Sequence, residues 1–144
     1  MRGKFEQRVD AKGRLIVPAK LRDGLGTEFV MTLGIENCIY LYSEEEWERF
    51  TQRLGELGNS KAQNRMLKRY FQSNAVDCSI DSQGRTVIPA NIRESVGIDK
   101  DIVIIGNGEK AEVWSVDAWK ETKMDAKETR DEIVAMLENS DLDF

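Results

Sequence analysis

The 144-residue chain has no histidine, only two cysteines and only two prolines. Without histidine there is no imidazole to act as general base for a serine or cysteine nucleophile, and the commonest nitrogen ligand of zinc is missing. Cys38 and Cys78 lie in apolar, strand-like surroundings with no C-x-x-C spacing, so they read as small buried thiols rather than metal ligands. Long apolar runs are missing too: none approaches the roughly 20 residues that span a bilayer. The opening Met1-Arg-Gly-Lys-Phe-Glu-Gln-Arg8 has no apolar stretch of the signal-peptide type. These absences predict a cytoplasmic, non-enzymatic protein with no cofactor, no metal and no membrane partner. The abundant carboxylates are the feature an enzymatic reading would have to rest on.

An excess of positive charge is also lacking. Twenty-one lysines and arginines face 26 acids, for a net charge of −5, which argues against a generic nucleic-acid binder. The distribution says otherwise. Residues 1–22 hold Arg2, Lys4, Arg8, Lys12, Arg14, Lys20 and Arg22 against Glu6 and Asp10, a local charge of +5 that leaves −10 on the rest. Such a dipolar chain can turn one basic face to a polyanion.

What the chain does have is a repeat. Asp10-Ala-Lys-Gly-Arg14-Leu-Ile-Val-Pro18-Ala returns as Asp81-Ser-Gln-Gly-Arg85-Thr-Val-Ile-Pro89-Ala, and seven of the 17 positions from Asp10 to Gly26 are identical at an offset of 71. Chance would give roughly one. Ile16/Val87, Val17/Ile88, Leu21/Ile92, Asp23/Glu94 and Leu25/Val96 keep their character. A unit present twice at so long a period is a pseudo-dimer rather than a solenoid. Each half, about 70 residues, is marginal for a core of its own, so the halves should share one.

Alternation predicts strands over Phe5–Val9 and Val76–Ile80, and the β-branched runs Leu15–Val17 and Thr86–Ile88 predict two more. Within each half, strand, polar turn and strand read as a local hairpin closed by Gly13 or Gly84. Pro18 and Pro89 should open short helices that stop at Gly26 and Gly97. Phe29–Leu33 with Cys38–Tyr42, and Ile102–Ile105 with Ala111–Trp114, read as second hairpins. Ser43-Glu-Glu-Glu46 has the form of a capping box for a helix with the stripe Trp47, Phe50, Leu54, and Ser115 should start its counterpart with Trp119. A linking helix is predicted over Ser60–Gln72, with the stripe Met66, Leu67, Tyr70 and Phe71 and with Arg65, Lys68 and Arg69 on a solvated face. A last helix spans Asp125–Glu138, followed by a frayed acidic tail, Asn139–Phe144.

Taken together, Val9-Asp-Ala-Lys-Gly-Arg-Leu-Ile-Val-Pro-Ala-Lys20 and Ile80-Asp-Ser-Gln-Gly-Arg-Thr-Val-Ile-Pro-Ala-Asn91 resemble the MraZ family, whose members carry two SpoVT/AbrB-type domains. The resemblance covers residues 1–120. It implies an α+β fold: a duplicated, swapped-hairpin, AbrB-like β-barrel with peripheral helices. It also implies ring-like homo-oligomers larger than a dimer, and transcriptional regulation of the division and cell-wall gene cluster through repeated DNA boxes at its promoter, hence a nucleoid-associated protein. The organisation read from the repeat is a first unit at 1–58, a linking helix at 59–74, a second unit at 75–122, and a C-terminal helix with acidic tail at 123–144.

The candidate DNA contacts follow from the motif. Arg14 lies just past a tight turn with Lys12 two positions away, on the same side of a hairpin strand. Arginine grips phosphate or reads guanine through paired hydrogen bonds, and a β-ribbon fits the major groove. Arg8 and Lys4 extend this basic face. Asp10 braces Arg14 across the turn at Gly13, as Asp81 braces Arg85 at Gly84. The second copy is less basic, with Gln83 for Lys12 and Asn91 for Lys20, so Arg85 is an auxiliary contact. Arg22 and Arg93, beside Asp23 and Glu94, read as ion pairs between the halves, and Trp47 and Trp119 as packing. The competing function is an antitoxin-like or scaffolding module that binds protein through its acidic helical surface.

Overall fold

The computed structural model describes residues 1–143. In the first half, β1 (Arg2–Arg8), β2 (Arg14–Ile16), α1 (Ala19–Leu25), β3 (Glu28–Leu33), β4 (Ile39–Ser43) and α2 (Glu44–Gly55) lead into the linking helix α3 (Ala62–Ser73). The second half repeats the order: β5 (Val76–Ser79), β6 (Arg85–Val87), α4 (Ala90–Ser95), β7 (Asp101–Asn107), β8 (Lys110–Ser115), α5 (Val116–Thr122) and α6 (Lys127–Glu138). The fold is mixed α/β on antiparallel sheets, as the sequence predicts in outline.

The pairing of the strands departs from the expectation. No local hairpin forms between β1 and β2 or between β5 and β6. Instead β1 crosses to pair with β7, Phe5 opposite Ile104 and Arg8 opposite Asp101, while β5 crosses to pair with β3. The result is a six-stranded sheet ordered β1-β7-β8-β4-β3-β5 and a separate two-stranded ribbon, β2-β6. Each half lends its first strand to the other, and the ribbon takes one strand from each. The second hairpins form as expected, β3 with β4 and β7 with β8.

Burial explains the exchange. Leu15, Val17, Leu21, Leu25, Phe29 and Met31 from the first half, and Ile88, Ile92, Ile102, Ile104 and Val113 from the second, form one continuous core. Each half is of a size marginal for a closed core of its own, and the shared core buries strands and helices of both. Tyr42, Trp47, Phe50 and Phe71 make a second layer of aromatic contacts, with ring centroids 5.0–5.6 Å apart, and Trp114 meets Trp119 edge to face at 5.8 Å. Both helical tryptophans are packing residues.

The helix starts obey their caps. Ser43 Oγ accepts from the Glu46 N–H at 3.1 Å and Ser115 Oγ from the Ala118 N–H at 3.0 Å. The capping box at Ser43 is only half made: the Glu46 carboxylate receives Arg49 one turn on. Helix α3 starts two residues later than predicted, and its apolar stripe is largely unburied. Phe71 is buried, but Met66, Leu67 and Tyr70 are exposed. Helix α6 buries no residue, leaving Ile133, Val134 and Met136 exposed. Of the acidic tail, residues 139–143 are exposed, and Phe144 lies outside the described residues.

Candidate nucleic-acid interface

The two Asp-x-x-Gly-Arg segments are tight loops that turn the chain out of the large sheet and into the ribbon. Asp10 Oδ1 accepts from the backbone N–H groups of Lys12 and Arg14, both at 2.9 Å, while its Oδ2 receives Arg14 Nε at 2.7 Å. Asp81 repeats the pattern: Oδ1 accepts from the Gln83 N–H at 2.9 Å and the Arg85 N–H at 2.8 Å, and Oδ2 from Arg85 Nε at 2.9 Å. One carboxylate thereby shapes the turn with one oxygen and orients a guanidinium with the other. The Asp10 carboxyl is held below its ordinary value, chiefly by the Arg14 backbone N–H and further by the Arg14 side chain. Asp81 is held down in the same way by Arg85.

The glycines are required by close approach as well as by conformation. Gly13 and Gly84 have φ of 81° and 79°, a region L side chains rarely adopt. A Cβ on Gly13 would collide with the Arg93 guanidinium, and one on Gly84 with that of Arg22. These two arginines correct the sequence reading. Among the described residues they make no ion pair with Asp23 or Glu94. Arg22 Nε donates to Val17 O at 2.9 Å and Arg93 Nη1 to Ile88 O at 3.0 Å. Each cation caps the end of a strand in its own half and covers the loop glycine of the other half.

In the ribbon, Arg14 stands opposite Val87, Leu15 opposite Thr86, and Ile16 opposite Arg85. Leu15 and Thr86 point into the core. By strand alternation Arg14, Ile16, Arg85 and Val87 share the outer face, where Ile16 and Val87 are 50% and 51% exposed. Beside this face lies an open cleft of about 820 Å³ whose lining carries five cations, Arg8, Arg14, Arg85, Arg93 and Lys100, against three acids, Asp10, Glu94 and Asp99.

The remaining candidates are less uniform. Lys12 sits in the turn, exposed, and precedes β2 rather than lying within it, so the expected same-strand alternation with Arg14 does not apply. Arg8 meets Asp101 across the β1–β7 ladder at 3.3 Å, an exposed pair that a phosphate can displace at little cost. Lys4 is drawn away from the ribbon: its Nζ binds Asp125 at 3.0 Å, and Asp125 also accepts from Trp119 Nε1 at 2.9 Å. Ile16, Val87 and Lys100 are not legible as site residues from the sequence. The first two are hidden inside aliphatic runs, and only the buried–exposed alternation starting at Leu15 would have picked them out.

A protein-family model described as "MraZ protein, putative antitoxin-like" matches this chain twice in succession, over residues 1–70 and 71–137. The chain belongs to the MraZ family. The transcriptional regulator MraZ of Lachnoclostridium phytofermentans is 44% identical over 143 residues, covering 99% of this chain and 98% of that protein. The transcriptional regulator MraZ of Thermoanaerobacter sp. strain X514 is 42% identical over 137 residues, covering 95% and 96%. That of Symbiobacterium thermophilum is 44% identical over 135 residues, covering 94% and 98%. Family likeness thus runs through both loops, the ribbon and the linking helix, and the border between the two matches falls inside α3. Among the described residues no helix is long and apolar enough to cross a membrane.

Proposed function

We propose that this chain is a sequence-specific DNA-binding transcriptional regulator. It acts without catalysis, as a homo-oligomer larger than a dimer, on repeated boxes at the promoter of the division and cell-wall gene cluster. In this reading, residues 1–58 and 75–122 are the two AbrB-type repeats of a swapped-hairpin barrel, 59–74 links them, and 123–144 is an appended helix and acidic tail. The protein is cytoplasmic and works at the nucleoid. One observation carries the proposal: two arginines, each oriented by its own aspartate, share the outer face of a two-stranded ribbon. A two-stranded ribbon fits the major groove, and a guanidinium held in place reads guanine with less ordering cost than a free one. Lys12 and Arg8 contribute backbone contacts, and Arg85 is the auxiliary reader. The names of the relatives agree with this reading.

The test is a mobility-shift titration with duplex DNA from upstream of the protein's own gene, at several salt concentrations. Affinity should fall steeply with salt, and Arg14→Ala should lose specific binding while melting at the wild-type temperature. Removing a base-reading arginine costs about 1–3 kcal/mol per site, multiplied in an oligomer. A folded Arg14→Ala variant with full affinity would overturn the proposal. The second reading, capture of a protein through α6, draws on the exposed Ile133, Val134 and Met136 of that helix. It predicts partner binding that is insensitive to salt, with no DNA shift.

A further inference from the structure

The ribbon's outer face is not uniformly basic. Its four outward positions alternate in a two-fold pattern, Arg14 facing Val87 and Ile16 facing Arg85. Directly opposed residues in an antiparallel pair have Cβ atoms about 5 Å apart, so each arginine has an aliphatic side chain as its neighbour across the ribbon. Ile16 and Val87 are half exposed, while Leu15, Val17 and Ile88, their neighbours in the chain, are at most 2% exposed. The core therefore does not use them. They are held rigidly on a short ribbon, beside two cations fixed by carboxylates.

We propose that Ile16 and Val87 are specificity-determining residues that contact the C5-methyl groups of thymines in the major groove, next to the guanines read by Arg14 and Arg85. This rests on the DNA-binding reading above and deepens it. In the major groove, thymine is marked by an apolar methyl and guanine by two acceptors. A face of paired arginine and aliphatic side chains matches neighbouring base pairs of those two kinds. Phosphate contacts alone have no use for the aliphatic pair, since the backbone offers no apolar group of comparable size. The near two-fold arrangement places one methyl contact on each strand of the ribbon, so both halves of the chain take part in readout although the cationic charge is concentrated in the first.

The experiment compares two versions of the same upstream duplex, one with thymine and one with deoxyuridine throughout, which differ in the C5-methyl groups. Affinities are read by fluorescence anisotropy for the wild type and for the Ile16→Ala/Val87→Ala double variant. Burying one methyl is worth about fourfold in affinity, so the wild type should bind the deoxyuridine duplex about 15-fold more weakly per pair of contacts. The double variant should bind both duplexes at that weaker level, with discrimination abolished, while thermal melting and sedimentation stay as in the wild type. The wild-type comparison stands on its own should the double variant melt early. Equal wild-type affinity for the two duplexes overturns the proposal, as does a folded double variant that still discriminates. A double variant that changes assembly state but keeps its discrimination also overturns it, and assigns the aliphatic pair to contact between copies. Arg14-dependent binding without discrimination sinks this inference alone. Binding to neither duplex sinks the DNA reading with it.

Discussion

Asp10 spends one oxygen on backbone and the other on a side chain, and that division predicts what survives when Arg14 is removed. The largest influence on Asp10 is the Arg14 backbone N–H, which alanine retains. In Arg14→Ala the Asp10 carboxyl should therefore titrate below the ordinary value of 3.8 still, though less far below it. A carboxyl-carbon NMR titration would show this, and a return to 3.8 would mean that the side chain holds the turn. A lowered folded value stabilises the native state in full above the unfolded value, and that contribution is lost as pH falls through the folded one. Above about pH 5 neither aspartate should produce a break in stability or in DNA affinity. Arg14 and Arg85 are held in nearly the same way, so any inequality between them must come from surroundings. Lys12 stands where the second copy has Gln83, and Arg14→Ala should cost more DNA affinity than Arg85→Ala in parallel anisotropy titrations. The Asp–Arg bracing was legible from spacing because it is local. The roles of Arg22 and Arg93 were not, because each lies against a glycine of the other half, and adjacency to Asp23 and Glu94 pointed to the wrong partner.

At the scale of elements, the local signals are legible in the sequence. Proline opens α1 and α4, serine caps α2 and α5, and both second hairpins form, although the β7–β8 turn narrows to Gly108-Glu109 because Gly106, Asn107 and Lys110 join the ladder. The β1–β2 hairpin failed because strand pairing is decided by where the apolar faces can be buried together, a non-local quantity. The loop glycines carry the greatest load per residue. Gly13→Ala must accept a positive φ and push aside the Arg93 guanidinium that covers the loop. The conformational cost is about 1–3 kcal/mol, and Gly84→Ala should show a similar loss against Arg22. Chemical denaturation would measure both. A loss below about 0.5 kcal/mol, the spread of ordinary surface substitutions, would show that the loop can refit. The helices α3 and α6 present the opposite lesson. Their amphipathic stripes were visible in sequence, but periodicity cannot say whether a stripe faces this chain or another.

For the whole molecule, those two stripes bear on assembly. Helix α3 carries Lys61, Arg65, Lys68 and Arg69 at its start and around exposed Met66, Leu67 and Tyr70. Helix α6 carries Glu128, Asp131, Glu132 and Glu138 against Lys127 and Arg130, a net charge of −2, around exposed Ile133, Val134 and Met136. Unlike faces of opposite charge on one chain suit head-to-tail association, which closes into rings when the rotation permits. Several weak ribbons aligned on repeated boxes would gain avidity without new contacts. Sedimentation at micromolar concentration should show a species larger than a dimer, and Met66→Glu should reduce it. A monomer that binds a single box tightly would remove the need for assembly.

The exchange of first strands between the halves also bears on how the protein is made. While the first half is being synthesised, β1 has no partner, because β7 lies at Asp101–Asn107. At typical rates that leaves an open strand edge on the ribosome for roughly 5–20 s, long compared with the microseconds in which a hairpin forms. During that interval a β7 strand can reach β1 only from another copy of the chain, and sister chains on the same messenger RNA are held nearby. The spacing of ribosomes on the message, and whatever shields a nascent edge, therefore bear on how many chains close on themselves and how many are traded between neighbours.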